Sequence, residues 1–180
     1  LFCCLIMRFG IMQSYFNRAL EVRTLDVQNQ IKILADHLIT YDYLQDQRSE
    51  VVNAELNMLS NLYDGRVLII NNSFNVIKDT YNVSQGKTII SEEVIRCFKG
   101  ESITNYDDNN NYIEMTVPIT MTVDEEQRVV GVILTSVSAD SIVNNQEILD
   151  RQAVLIAIVI LIIVFGIAVA VPREIMKPFD

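Results

Sequence analysis

Few residues in this chain have the chemistry of a reactive site. The single histidine, His37, lies in a long helical pattern and is followed by Leu38, Ile39 and Thr40. A phosphoacceptor histidine of a histidine kinase has an acidic residue directly after it and a proline shortly beyond, and neither follows His37. One imidazole cannot build a histidine-rich zinc site, so His37 reads as an ordinary interfacial histidine. Cys97 sits among Val94, Ile95 and Phe98, the setting of a small buried hydrophobe rather than of a reactive thiol. Asp107, Asp108, Asn109, Asn110 and Asn111 offer oxygen donors suited to a hard cation such as Ca²⁺. They lack the spacing of a calcium loop, and a solvated turn is expected. No phosphate-binding, dinucleotide, zinc-protease or serine-hydrolase motif occurs. No catalytic residue, metal ligand or cofactor is expected, and no enzyme in this stretch.

Composition narrows the class. The 180 residues are 50% apolar and 21% charged, with a net charge of -9. That sign argues against nucleic-acid binding, which needs a basic face, and the apolar content argues against disorder. Three cysteines, of which Cys3 and Cys4 lie in the apolar N-terminus, make no disulfide framework.

The hydrophobicity is concentrated at the ends. Residues 153–171 read AVLIAIVILIIVFGIAVAV, nineteen positions without a charged or polar side chain. As a helix this run is about 28 Å long, close to the roughly 30 Å hydrocarbon core of a bilayer, and a transmembrane helix is expected. Arg173 and Lys177 follow it, which places the C-terminus in the cytoplasm. The chain opens on LFCCLIM without an initiator methionine, then Arg8, then four more apolar residues. A run this short does not span alone. With no small-residue cleavage site after it, residues 1–12 are expected to be the outer end of a truncated first transmembrane helix, with Arg8 snorkelling to the headgroups. Residues 13–152 then lie outside the membrane, and they carry 11 basic against 21 acidic residues, a net of -10.

Between these ends the patterns predict an α+β domain. No Gly or Pro occurs between Ile11 and Asp64. Over residues 11–39 Leu20, Val27 and Leu34, and Ile31 and Leu38, recur every seven positions, with Val22, Leu25 and Ile33 widening the stripe. Arg23, Thr24, Gln28 and Gln30 interrupt this repeat, which suits either the chain's own sheet or a partner helix. A parallel homodimer is expected, with the first helix as its seam and the stretch from Met12 to Leu20 against the partner. A second helix runs over 49–63 with Ser49 as its cap. Strands follow at 66–71 and 76–80, joined by a turn at Asn72, Ser73, Phe74 and Asn75. After a polar loop, Ser91 caps a short helix ending at Lys99 and Gly100. Two long strands cover 112–121 and 128–138, with Gly131 marking a bulge or bend. A helix from 139 to 152 runs into the membrane span. Hairpin connections make the sheet largely antiparallel.

The hairpin RVLIINNSFNVIKDT, the short helix ending Phe98-Lys99-Gly100, and the strands TVPITM and VVGVILTSVSADSI resemble extracytoplasmic PAS-like sensor domains of the Cache type. Past the span, Arg173-Glu174-Ile175-Met176-Lys177-Pro178-Phe179 resembles the entry to a HAMP linker at 172–180. The resemblance implies a long N-terminal helix packed on the sheet of a two-span bacterial receptor in the cell membrane, foremost a sensor histidine kinase. Such a parent would use ATP and Mg²⁺ and a response regulator through cytoplasmic parts beyond Asp180. A chemoreceptor, a cyclic-dinucleotide synthase and a non-signalling tethered binding domain are the alternatives. The resemblance also implies a pocket between the sheet, the loops and the short helix, near Arg66, Asp79, Thr80, Tyr81, Tyr112, Glu114 and Thr116. There Asp79 or Glu114 would meet an amine and Arg66 a carboxylate. The stimulus would be a small molecule, a peptide or a cation.

Overall fold

The computed structural model describes residues 2–123 and 125–175, with side chains except at 2–9, 145–147, 150 and 168–175. In chain order the elements are α1 (Phe2–Thr40), α2 (Glu50–Leu62), β1 (Gly65–Asn71), β2 (Val76–Asp79), α3 (Glu92–Phe98), β3 (Ile103–Asp107), β4 (Tyr112–Val123), β5 (Glu126–Ser138) and α4 (Asp140–Ile175). They fall into two units, one of residues 17–141, the other of the chain ends up to Phe16 and from Ile142.

The 17–141 unit is built on a five-stranded sheet of order β2-β1-β5-β4-β3, antiparallel throughout. The α+β expectation holds, with one strand more than expected. The addition is β3, ITNYD, an edge strand with no fully buried residue. A half-solvated edge needs no apolar run, so its sequence is too polar to announce a strand.

Alternation along the strands assigns the two faces. On one face Val67, Ile69, Ile113, Met115, Ile119, Ile133 and Val137 are buried, and α1 and α2 cover them. Val27, Ile31, Leu34 and Leu38 of α1 and Val52, Leu56 and Leu59 of α2 complete this core. Burying each such side chain is worth about 1.5–3 kcal/mol. The seven-residue repeat of α1 from Val27 onward therefore serves the chain's own sheet. Val22, Leu25 and Ile33, expected to widen that stripe, instead stand exposed on the opposite side of the helix. On the other face of the sheet Leu68, Ile70, Val76 and Val132 pack with Val94 and Cys97 of α3, flanked by Phe74, Ile89, Phe98 and Leu134.

Local signals set the element ends. Ser49 accepts from the Val52 N–H and Ser91 from the Val94 N–H, each capping its helix. Gly100 stops α3 at φ +93°, and its N–H closes on the Cys97 carbonyl at 2.9 Å. In the β1–β2 turn the Asn71 side-chain oxygen accepts from the Ser73 and Asn75 N–H groups, both at 3.0 Å. Between β4 and β5 the register slips so that Gly131 pairs with Ile119 and Val129 with Thr120, leaving Val130 as the bulge. A Cβ on Gly131 would lie 2.9 Å from the Ile70 carbonyl oxygen, on the neighbouring strand.

In the other unit α4 runs as one helix through the whole of the apolar stretch 153–171. Its side chains from Leu155 to Ile167 are exposed on every face. Among the described residues no helix is long and apolar enough to cross a membrane, the side chains of this stretch being described only as far as Ile167. The expected linker start lies partly outside the described residues, from Met176 onward.

Two substitutions check this packing. Leu34→Ala should lower stability by about 2–5 kcal/mol, as a fully buried leucine does. Gly131→Ala should cost about 1–3 kcal/mol, because a backbone carbonyl cannot yield to the added methyl. Thermal or denaturant unfolding measures both.

Candidate functional site

Register across the sheet lines up side chains on the face that α3 covers. Arg66, Ser136, Glu114 and Asn105 form one row across β1, β5, β4 and β3. Leu68, Leu134, Thr116 and Ile103 form the next. The row after that, Ile70, Val132 and Pro118, is apolar. This face therefore grades from an apolar core under α3 to a polar strip toward Glu114. Where they meet is a cleft of about 90 Å³ lined by Glu93, Ile103, Asn105, Glu114, Thr116 and Leu134. It is smaller than the roughly 300 Å³ at which drug-sized ligand pockets begin, so it fits a small group or part of a larger ligand.

The seven residues expected at a pocket divide into two sets. Glu114 and Thr116 line the cleft, and Tyr112 lies on the same side of β4 at its start, paired with Asp107 and Ser138. Arg66, Asp79 and Thr80 are used differently. The Arg66 guanidinium donates through Nε to Asp79 Oδ1 at 2.9 Å and through Nη2 to Asp79 Oδ2 at 2.6 Å, with a further bond to Ser84 Oγ. Asp79 is fully buried and also accepts the backbone N–H groups of Tyr81, Val83 and Ser84. The carboxylate that Arg66 meets is thus Asp79 itself. Thr80 continues the ladder, its Oγ1 accepting from the Val67 N–H and its own N–H donating to the Val67 carbonyl. Tyr81 is exposed in the loop that follows. These groups pin the β2–α3 loop against the sheet. The loop then returns along β2, with Val76 bonded to Lys87 and Gly86 and with Ile89 bonded to Phe74.

Electrostatics agrees with that role. Burial opposes the charge on Asp79, but the guanidinium and the Ser84 and Tyr81 N–H groups outweigh it and hold the pKa well below the usual carboxylate range. Cys97 is fully buried and its thiol is pushed up to about 12 by burial, the inert hydrophobe expected. His37 departs from the plain interfacial reading: its Nδ1 lies 2.7 Å from Glu55 Oε2 and its ring meets Tyr41 edge-on. In the 107–111 turn Asp107 spends both oxygens locally, on the N–H groups of Asn109 and Asn110 and on the Asn110 amide. Among the described residues no group of three or more His, Cys, Asp or Glu side chains is placed to hold a metal ion.

Sequence reasoning missed Glu93, Ile103, Asn105 and Leu134 at the cleft. The signal for Asn105 and Ile103 lay in a strand too polar to recognise, and that for Glu93 in a helix end where acidic residues have a sufficient capping reason. A second cleft, of about 280 Å³, is lined by Leu38, Ile39, Asp42, Leu44, Gln45, Asn71, Asn72, Met121 and Val130.

No family model matches the chain, and no curated protein matches it at a significant level.

The Asp79 anchor carries a pH signature. Its pKa is depressed on folding, so its stabilisation is present above the unfolded value near pH 4 and is lost as pH falls through the folded value. Asp79→Asn should therefore flatten the acid limb of the stability curve below about pH 4. Asp79→Ala should cost about 3–5 kcal/mol at pH 7, because it strands the partly buried Arg66. Urea titrations across pH 2–7 measure both.

Proposed function

We propose that this chain is the extracytoplasmic sensor and transmembrane signalling segment of a two-span bacterial receptor, with a histidine kinase as the output beyond Asp180. The observation that carries the reading is α4. It is a single helix from Asp140 to Ile175 whose side chains from Leu155 to Ile167 are apolar and exposed on every side. A helix in water hides an apolar stripe and wets the rest; one apolar all round needs an apolar solvent or a protein sheath. The apolar stretch with described side chains, 153–167, is about 22 Å long, and the sequence continues it to Val171, or about 28 Å.

The PAS-like reading of residues 13–152 draws support from the antiparallel sheet, the covering N-terminal helix and the cleft beneath the short helix. In this reading a small molecule, peptide or cation meets Glu114 and Thr116, and β5 passes the change to α4. In this reading the C-terminus is cytoplasmic, which Arg173 and Lys177 just after the apolar stretch support.

Topology is tested first, in a Cys3→Ser, Cys4→Ser background. A cysteine at Asp108 should react with a membrane-impermeant maleimide on intact cells, and one at Lys177 only after lysis. A chain released from membranes by alkaline carbonate would overturn the reading. Signalling is tested in the parent receptor by inserting four glycines after Gln146, which should abolish the stimulus response. A response left unchanged would sink the mechanism.

A further inference from the structure

The larger of the two clefts has no part in the reading above. It opens where the last turn of α1, the turn after it, the β1–β2 turn and the bulge on β5 meet. Its volume of about 280 Å³ is close to the roughly 300 Å³ at which ligand pockets begin. It shares no lining residue with the cleft beneath α3. Asp42, Gln45, Asn71 and Asn72 give it a polar side, and Leu38 and Leu44 an apolar one. Asp42 is the one charged residue in its lining.

For the fold alone, Asp42 is a poor choice. The chain leaves α1 through a closure that glycine serves best: the Tyr43 N–H donates to the Leu38 carbonyl at 2.9 Å and the Asp42 N–H to the Ile39 carbonyl at 3.0 Å. Asp42 takes the glycine position of that closure, at φ +48°. Its carboxylate also stands at the negative end of the helix dipole, which repels an anion. Nothing within the unit offsets this. Among the described residues the Asp42 carboxylate has no hydrogen bond and no ion pair, whereas Asp46, in the same turn, holds Arg48 at 2.8 Å.

We propose that this cleft binds a small primary amine through Asp42, in its ammonium form, carrying neutral hydrogen-bonding groups and a short apolar part but no carboxylate or phosphate. The charge follows from the lining, which has one carboxylate and no lysine, arginine or histidine to meet an anion. The three ammonium hydrogens would be shared between Asp42 and the amide oxygens beside it. The amides of Gln45 and Asn72 donate and accept, and Asn71, whose oxygen is taken by the β1–β2 turn, offers its NH₂. Leu38 and Leu44 suit the hydrocarbon part. A hard metal ion fits less well, since Ca²⁺ takes about six to eight oxygens, with several carboxylates commonly among them. The net charge of -10 over residues 13–152 draws cations toward the site. The site is separate from the cleft assigned to the stimulus, and the inference does not rest on the receptor reading.

Calorimetric titration of the full chain in detergent micelles tests it with three amines: ethanolamine, glucosamine, and lysine capped at both termini, which stands for a lysine side chain on a peptide. At least one should bind saturably at about 1 mM or below. Ethanolamine or glucosamine as the binder identifies a free amine, and capped lysine alone a peptide side chain. Acetylating the amine that binds should weaken it at least tenfold, and so should Asp42→Asn. Asp108→Asn, on the turn at the other end of β4, should leave the affinity unchanged. Asp42→Gly should lose binding while its thermal midpoint stays level or rises, because glycine suits that backbone. The proposal is overturned if none of the three amines binds by about 10 mM, if Asp42→Asn keeps the affinity, or if Ca²⁺ displaces the amine at a lower concentration than the amine itself needs. A lower thermal midpoint in Asp42→Gly would also overturn it, since Asp42 would then serve the fold.

Discussion

The 17–141 unit turns on a buried carboxylate that cannot be left alone. Asp79 ends β2 with no solvent access, and burying an unpaired charge there would cost several kcal/mol. Five donors answer it: two nitrogens of Arg66 and the backbone N–H groups of Tyr81, Val83 and Ser84. Meeting that demand fixes the path of the chain from residue 80 to 84. The path then returns along β2 through Lys87 and Ile89 and delivers Ser91 to start α3. The position of α3 decides which side chains of β3, β4 and β5 are roofed over and which form the cleft.

This explains why some of the molecule could be read from its sequence and some could not. The caps at Ser49 and Ser91, the stop at Gly100, the bulge beside Gly131 and the buried Cys97 are local or compositional, and each was legible. The strand β3 was not, because an edge strand shares its burden with solvent and needs little hydrophobicity. Arg66 and Asp79 were singled out correctly as unusual, but their types cannot say whether they meet a ligand or each other. Thirteen residues separate them, and only the register of β1 on β2 brings them together. Val22, Leu25 and Ile33 failed in the opposite way. A helical repeat shows that apolar residues are there and not which of two opposite stripes faces the sheet.

The two helical layers of the unit also differ in kind. The α3 side is short, partly polar and held by one buried ion pair, with a small cleft left between helix and strands. The α1–α2 side is long and tightly filled, with Val27, Ile31, Leu34, Leu38, Val52 and Leu56 all nearly or fully inaccessible. Rearrangement on binding is cheaper on the first side, where fewer apolar contacts must be broken. The second has the rigidity of a support.

The passage from β5 to α4 is a single residue, Ala139. It is held on both sides: the Ser138 N–H donates to the carbonyls of Tyr63 and Asp64, and the Ala139 N–H to that of Asn111 at 2.7 Å. Asp140 begins the helix with its N–H on Ser138 Oγ and its carboxylate on the Asn111 amide. The end of the sheet is therefore a knot of three chain segments: the turn after α2, the turn between β3 and β4, and residues 138–140. Side chains at 138–140 are open to substitution by groups with similar hydrogen bonds, whereas their number is not, because an added residue would carry each donor away from its acceptor.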